Sequence, residues 1–270
     1  MSETRKTALA YARGLAGGML IGVPVLLTME VWWEGFFVPA WRILVFYVFN
    51  FGVLLILQHY SGLHHRKTTA SQVRAAIVAY GLGIFASAII LALLHVLRAD
   101  SNFRDVAGKL MIESVPVSIG ASVAISEFGD DEDLPQHRRE RVGYFGSLGM
   151  AIAGAALFGF GLSAAEEPLM IANQLDWIHG VLIMLVSLLQ VCAIVYSVGG
   201  RGDESSEKET LPKVLGQSVS TYAVALLVGA FYLWTFGTLN EHLSFTASTY
   251  VIIAIGFATS FGAAAAEALL

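Results

Sequence analysis

Eight apolar runs, each long enough to cross a bilayer, constrain this chain more than any other feature. They lie at about 11–33, 38–60, 73–97, 107–127, 143–166, 174–198, 214–237 and 247–269. A span needs about 20 residues, because about 30 Å of hydrocarbon is crossed at about 1.5 Å per residue. The runs are continuous, whereas barrel strands are about 10 residues of alternating polarity. Helices are then the only way to satisfy the backbone in lipid. The expected fold is all-α, a polytopic membrane helix bundle of about eight transmembrane helices. Charged residues make up 14% of the chain and hydrophobic ones 56%, against about 25% charged in soluble domains, so a water-soluble fold is not available.

Lysine and arginine orient the spans. One set of loops and span ends holds Arg5, Lys6, Arg13, Arg66, Lys67, Arg74, Arg138, Arg139, Arg141, Arg201, Lys208 and Lys213. The other holds only Arg42, Arg98, Arg104 and Lys109. Both termini are therefore expected in the cytoplasm. Trp32, Trp33, Trp41, Trp177 and Trp234 all fall at ends that become external, where indole rings favour the interface. The first run is too long for the apolar part of a cleavable signal and lacks a small-residue cleavage site, so it reads as a span.

Spacing points to an internal duplication. Glu30 and Trp41 recur as Glu166 and Trp177, both 136 residues on. Val78, Gly83 and Phe85 recur as Val224, Gly229 and Phe231 at an offset of 146. Ser118-Ile119-Gly120-Ala121 is echoed by Ser260-Phe261-Gly262-Ala263, 142 residues on. The expected organisation is a four-helix half at 1–127, a charged cytoplasmic linker at 128–142 and a second half at 143–270. With four spans each, the copies enter the membrane in the same sense, which makes a parallel 4+4 repeat. The other account is chance likeness among helices that share a small alphabet.

The fourth run carries the densest polar pattern. Ser114, Ser118, Ser122 and Ser126 stand four apart, on one helix face, beside Glu113. Pro116 cannot donate to the Ile112 carbonyl. A carboxylate, hydroxyls and a freed carbonyl are hard oxygen ligands, suited to a cation or a proton relay. The bland reading is that the serines pack small and bond back to their own helix, with Lys109 neutralising Glu113. An ionised carboxylate within a span costs roughly 2.5–3.5 kcal/mol on insertion scales, which favours a role for Glu113. Glu30, Glu34, Glu166, Glu167, Asp176 and Glu241 fall at the outer face, as an electronegative vestibule or a solvated rim. Glu127 and Glu267, at the inner ends of spans 4 and 8, are candidate inner-gate residues or simply wet. His179 follows Asp176 by three, as a metal ligand or a lone interfacial histidine. Gly14, Gly18 and Gly22, like Ala151, Ala155, Gly159 and Ser163, form small-residue stripes for close helix packing, within the chain or between copies in a homo-oligomer.

The run Ile112-Glu113-Ser114-Val115-Pro116-Val117-Ser118-Ile119-Gly120-Ala121-Ser122 resembles a signature of a bacterial integral membrane family of unknown function. The resemblance implies a bacterial inner membrane and carries no activity with it.

Several classes are excluded. One cysteine, Cys192, rules out disulfides and cysteine-based zinc sites. A net charge of −5 gives no sign of nucleic acid. No His-Glu-x-x-His is present, and Glu166-Glu167 lacks the arginine that follows the paired glutamates of CAAX-type intramembrane proteases. No lysine lies at mid-membrane for a retinal Schiff base. Neither an arginine ladder, a potassium filter nor a P-loop occurs. No enzyme and no cofactor is expected. Two functions stand. One is a small-cation or proton-coupled transporter or channel, with its path between the halves, Glu113 as the site and the span 4 serines lining it. The other is a non-transporting scaffold or assembly subunit that binds a partner through its small-residue stripes.

Overall fold

The computed structural model describes residues 3–60, 68–98, 100–127, 139–199 and 211–268. Most of them are helical, with no strand among the described residues. In chain order the helices are α1 (Glu3–Leu26), α2 (Met29–Phe37), α3 (Ala40–Tyr60), α4 (Thr69–Leu93) and α5 (Phe103–Glu127). They continue with α6 (Arg139–Ala164), α7 (Glu167–Ala172), α8 (Trp177–Gly199), α9 (Leu211–Thr235) and α10 (Phe245–Ala268). Eight are long and apolar enough to cross a membrane, all but α2 and α7.

The expected span at 11–33 is corrected to Ala8–Leu26, and the remainder forms a separate helix, α2. Pro24 lies inside the last turn of α1 and has no N–H to donate. Thr28 is extended (φ −92°, ψ 112°) and its Oγ1 donates to the Pro24 carbonyl at 2.9 Å. Trp32 then folds back, its Nε1 donating to the Leu26 carbonyl at 2.7 Å. α2 buries Val31 and Gly35 and exposes Trp33, Phe36 and Phe37. The third span ends at Leu93 rather than 97. There His95 adopts φ +59°, and Val96 N–H reaches back to the Leu91 carbonyl at 2.9 Å, closing the helix end as a left-handed residue does.

The chain divides into two compact units, residues 1–133 and 134–270. In the first, α5 packs on α1, α2, α3 and α4, and 67% of its span is buried. In the second, α10 packs on α6, α7, α8 and α9, and 61% of its span is buried. Spans α1 and α8, at 22% buried, lie at the periphery of their units. When α1–α5 are matched in order to α6–α10, the same set of helix pairings recurs. Most of the expected linker, 128–138, lies outside the described residues. α6 begins at Arg139 and breaks at Gly143 (φ 58°, ψ 172°), a backbone conformation open to glycine.

Glycine permits the closest of these contacts. A Cβ on Gly120 would stand 2.8 Å from the Gly17 carbonyl oxygen, and one on Gly18 would stand 2.7 Å from that of Val117. In the second unit a Cβ on Gly262 would stand 2.5 Å from the Gly154 carbonyl oxygen. Gly14, Gly18, Gly22, Ala151, Ala155, Gly159 and Ser163 are all buried. The small-residue stripes thus serve close packing inside the units.

Candidate functional site

Two faces of α5 carry its polar groups. Ser114, Ser118 and Ser122 are fully buried on the face turned to α3 and α4. A Cβ on Gly83 of α4 would run into the Ser118 hydroxyl, and Gln58 of α3 donates Nε2 to Ser122 Oγ at 2.7 Å. Ser114 Oγ donates to the Met111 carbonyl at 3.0 Å and Ser118 Oγ to the Ser114 carbonyl at 2.5 Å. The Ser114 and Ser118 hydroxyls therefore bond back to their own helix. The side chain of Ser126 lies outside the described residues.

Glu113 belongs to the other face. It shares a helix stripe with Lys109, four residues before it, and Val117, four after. Gly35 of α2 meets the Lys109 backbone, and Gly22 of α1 meets the Val117 side chain. Glu113 thus lies at the level where α1 gives way to α2, turned away from the serines. The expected convergence of its carboxylate with the hydroxyls does not form. Its side chain is 0% exposed, and both carboxyl oxygens are buried without a hydrogen-bond partner. Only its backbone carbonyl is engaged, accepting from Ser87 Oγ of α4 at 3.1 Å. Lys109 does not neutralise it, because Lys109 Nζ pairs with Asp105 at 3.1 Å.

Above Glu113 the unit opens. A cleft of about 460 Å³ lies between the α2 aromatics Trp33, Phe36 and Phe37, the α4–α5 connection with Arg98 and Asp100, and Asp105 and Lys109 of α5. Lys109, on its wall, is one helical turn from Glu113. Glu34 lies on α2 beside Gly35, outside the membrane-spanning segments. Burial raises its pKa to about 7.

A family model described as "Putative integral membrane protein (DUF2391)" matches residues 10–270. The chain belongs to this family. It is an integral membrane protein, and no curated protein and no solved structure matches it. Membership extends over both units, so the second unit is as much part of the family's fold as the one holding Glu113.

In that second unit Glu267 is the buried acid, 4% exposed. Thr221 Oγ1 donates to its Oε1 at 2.6 Å and Gln217 Nε2 to its Oε2 at 3.2 Å. Gln217 Nε2 also lies 2.6 Å from Ser147 Oγ. This is a hydrogen-bonded carboxylate, unlike Glu113. The other inner-gate candidate, Glu127, closes α5 with its side chain outside the described residues. The vestibule candidates are divided between the units. Glu30 is part-exposed on α2, while Glu166 and Glu167 are exposed at the start of α7. Asp176, before α8, is exposed and accepts the backbone N–H of His179 at 2.8 Å. That bond, with the His179 ring at 2.7 Å, holds its pKa below the usual carboxylate value. No group of three or more metal-ligating side chains occurs among the described residues.

Two features went unnoticed in the sequence: the docking of α2 on α5 through Gly35, and the Gln217/Thr221 pair on Glu267. The second had a signal, since residues 217 and 221 stand four apart on one face of a span.

Proposed function

We propose that this protein moves protons across a bacterial inner membrane, as a proton-coupled carrier or a proton channel, with Glu113 as its protonatable site. The observation that carries this reading is the Glu113 carboxyl group, fully buried with both oxygens unpartnered. A carboxylate without donors or counter-charge is expensive in such surroundings, and the charge is removed by a proton or matched by a cation. The structure favours the proton. Ser114, Ser118 and Ser122 lie on another face, and Lys109 is held by Asp105, so a metal ion would find one carboxylate and little else. The scaffold reading takes Glu113 as a packed structural group and binds a partner through the small-residue stripes; the buried, unpartnered carboxyl gives it no hydrogen bond to make, and the stripes are buried within the units.

The path we propose runs within the first unit, from the cleft beside α2 to Glu113. The lysine and arginine distribution puts the cleft outside and both termini in the cytoplasm. The matched pairings of α1–α5 and α6–α10 support duplication as the origin of the two units, of which one kept or acquired the acid.

The test is proton flux into liposomes holding the purified protein and a trapped pH dye, driven by a potassium diffusion potential. Wild type is expected to acidify the lumen. Glu113→Gln, which keeps the shape and removes proton exchange, is expected to reduce flux at least 100-fold with an unchanged melting temperature in detergent. Undiminished flux in that variant overturns the reading.

A further inference from the structure

We propose that Glu34 is the outer member of a two-carboxyl proton relay, taking protons at α2 and handing them to Glu113. This rests on the reading of Glu113 as a proton site and names the residue that feeds it.

Three observations converge on Glu34. The first is placement. The backbones of α2 and α5 touch where Gly35 meets Gly108 and Lys109; a Cβ on Gly35 would lie 2.6 Å from the Lys109 nitrogen, and one on Gly108 would collide with the Gly35 carbonyl. Glu34 is the neighbour of Gly35. Glu113 is five residues beyond Gly108, about 7.5 Å along the helix at about 1.5 Å per residue. In the proposed relay, water carries the proton between the two carboxyl groups. The second is the surroundings of Glu34. It is part-buried, and burial brings its titration close to neutrality, where a group both accepts and releases protons readily.

The third observation is internal to the chain. The 142-residue offset that lays Ser118 on Ser260 lays Lys109 on Val251 and Glu113 on Ile255. In the second unit Ala172 of α7 packs with Val251 and Ile255 in one apolar cluster, so α7 meets α10 where α2 meets α5. The buried residues of α7 are Pro168 and Ala172, and those of α2 are Val31 and Gly35, which sets Glu34 against Ile171. The 136-residue offset of Glu30 and Glu166 sets it against Met170. In both registers the counterpart of Glu34 is apolar and the counterpart of Glu30 is a glutamate, Glu166 or Glu167. The second unit therefore keeps the rim acid and lacks both Glu34 and Glu113. Two carboxylates missing together from the equivalent place is the pattern expected of a pair that works together.

Few other titratable groups face this path. α1 has none between Gly14 and Leu26. α2 adds Glu30, α3 adds Arg42 and Tyr47, α4 adds Tyr80, the α4–α5 connection adds Arg98 and Asp100 at the cleft, and α5 adds the Asp105–Lys109 pair. The transfer balances without any co-reactant. Glu34 takes a proton from hydronium, leaving water. Its O–H then breaks as an O–H forms on the Glu113 carboxylate, and Glu34 is left ionised for the next proton.

The experiment compares wild type, Glu34→Gln, Glu34→Asp and Glu113→Gln in the same proteoliposomes, with flux recorded from pH 5 to 8.5. A second measurement follows protonation of Glu113 itself, by time-resolved infrared difference spectroscopy of its carbonyl after a pH jump. Wild-type flux should fall as external pH rises through about 7, as Glu34 loses its proton. Glu34→Gln should lower flux at least 10-fold, remove that step, and slow Glu113 protonation by a similar factor. Glu34→Asp should restore flux in part, with the step at lower pH. If Glu34→Gln keeps wild-type flux, pH profile and infrared rate while Glu113→Gln is inactive, the relay is wrong and the proton-site reading stands. If Glu113→Gln conducts like wild type, or wild type does not conduct, that reading falls and the relay falls with it.

Discussion

The 142-residue offset aligns Glu113 of the first unit with Ile255 of the second, in bundles with the same helix pairings, and their surroundings are chemically opposite. One holds a buried carboxyl group beneath a lysine and an open cleft. The other is closed by Ala172, Leu233, Val251 and Ile255 in an apolar cluster. Packing alone is satisfied by the second solution, so the bundle does not need a polar group there. The first unit bears an unpartnered carboxyl where the aligned position of the second is apolar, which supports the proposed role of Glu113.

The contrast can be broken from either side. The largest effects should come from what the units share. Gly120→Val and Gly262→Val each drive a side chain into a facing backbone carbonyl, where no side chain can swing away. Each should leave little folded protein, seen as loss of the monodisperse peak in detergent chromatography. A unit that accepts valine at one site and not at the other would show that the two bundles are not packed alike. Exchange of the distinguishing residues comes next. Glu113→Ile, which copies the second unit, should abolish flux and stabilise the protein by about 1–3 kcal/mol, since a buried group without a partner is removed. Ile255→Glu should destabilise it by roughly 2.5–3.5 kcal/mol, the insertion cost of a charge in a span, and should add no flux because α7 has no counterpart of Glu34. Thermal unfolding in detergent, with ligand-free flux alongside, reads both. The smallest effect on flux belongs to the acid that is satisfied. Thr221→Ala removes the 2.6 Å hydrogen bond to Glu267 and should cost about 1.5–3 kcal/mol, the range for bonds to charged groups, while flux per folded molecule stays at the wild-type level.

Eight spans were legible because hydropathy and length report membrane crossing directly, and the structure has eight. The break after Leu26 was hidden because residues beyond it stay apolar and aromatic. A span followed by an aromatic surface helix reads as one long run, and only Pro24 and Thr28 mark the joint. Glu113 stood out as a charge inside an apolar stretch, but its direction did not. The serines one residue away drew it toward their own face, whereas helix geometry sets neighbours about 100° apart. Its face is fixed by the glycines of other helices, Gly22 and Gly35, and sequence does not say which helix those glycines meet. Glu34 read as one more rim acid for the same reason.

The central position of α5 has a consequence for how the protein is made. It is the least apolar of the eight spans, and it is synthesised after α1, α3 and α4, the spans it packs against. A nascent chain that stops after α4 presents lipid with glycine-lined surfaces shaped for a helix not yet translated. The polar fourth span gains by leaving the insertion machinery against waiting neighbours rather than into bare lipid. Assembly of the first unit is then a keystone event, completed only when the segment carrying Glu113 arrives, and quality control that senses exposed polar helices would act at that moment.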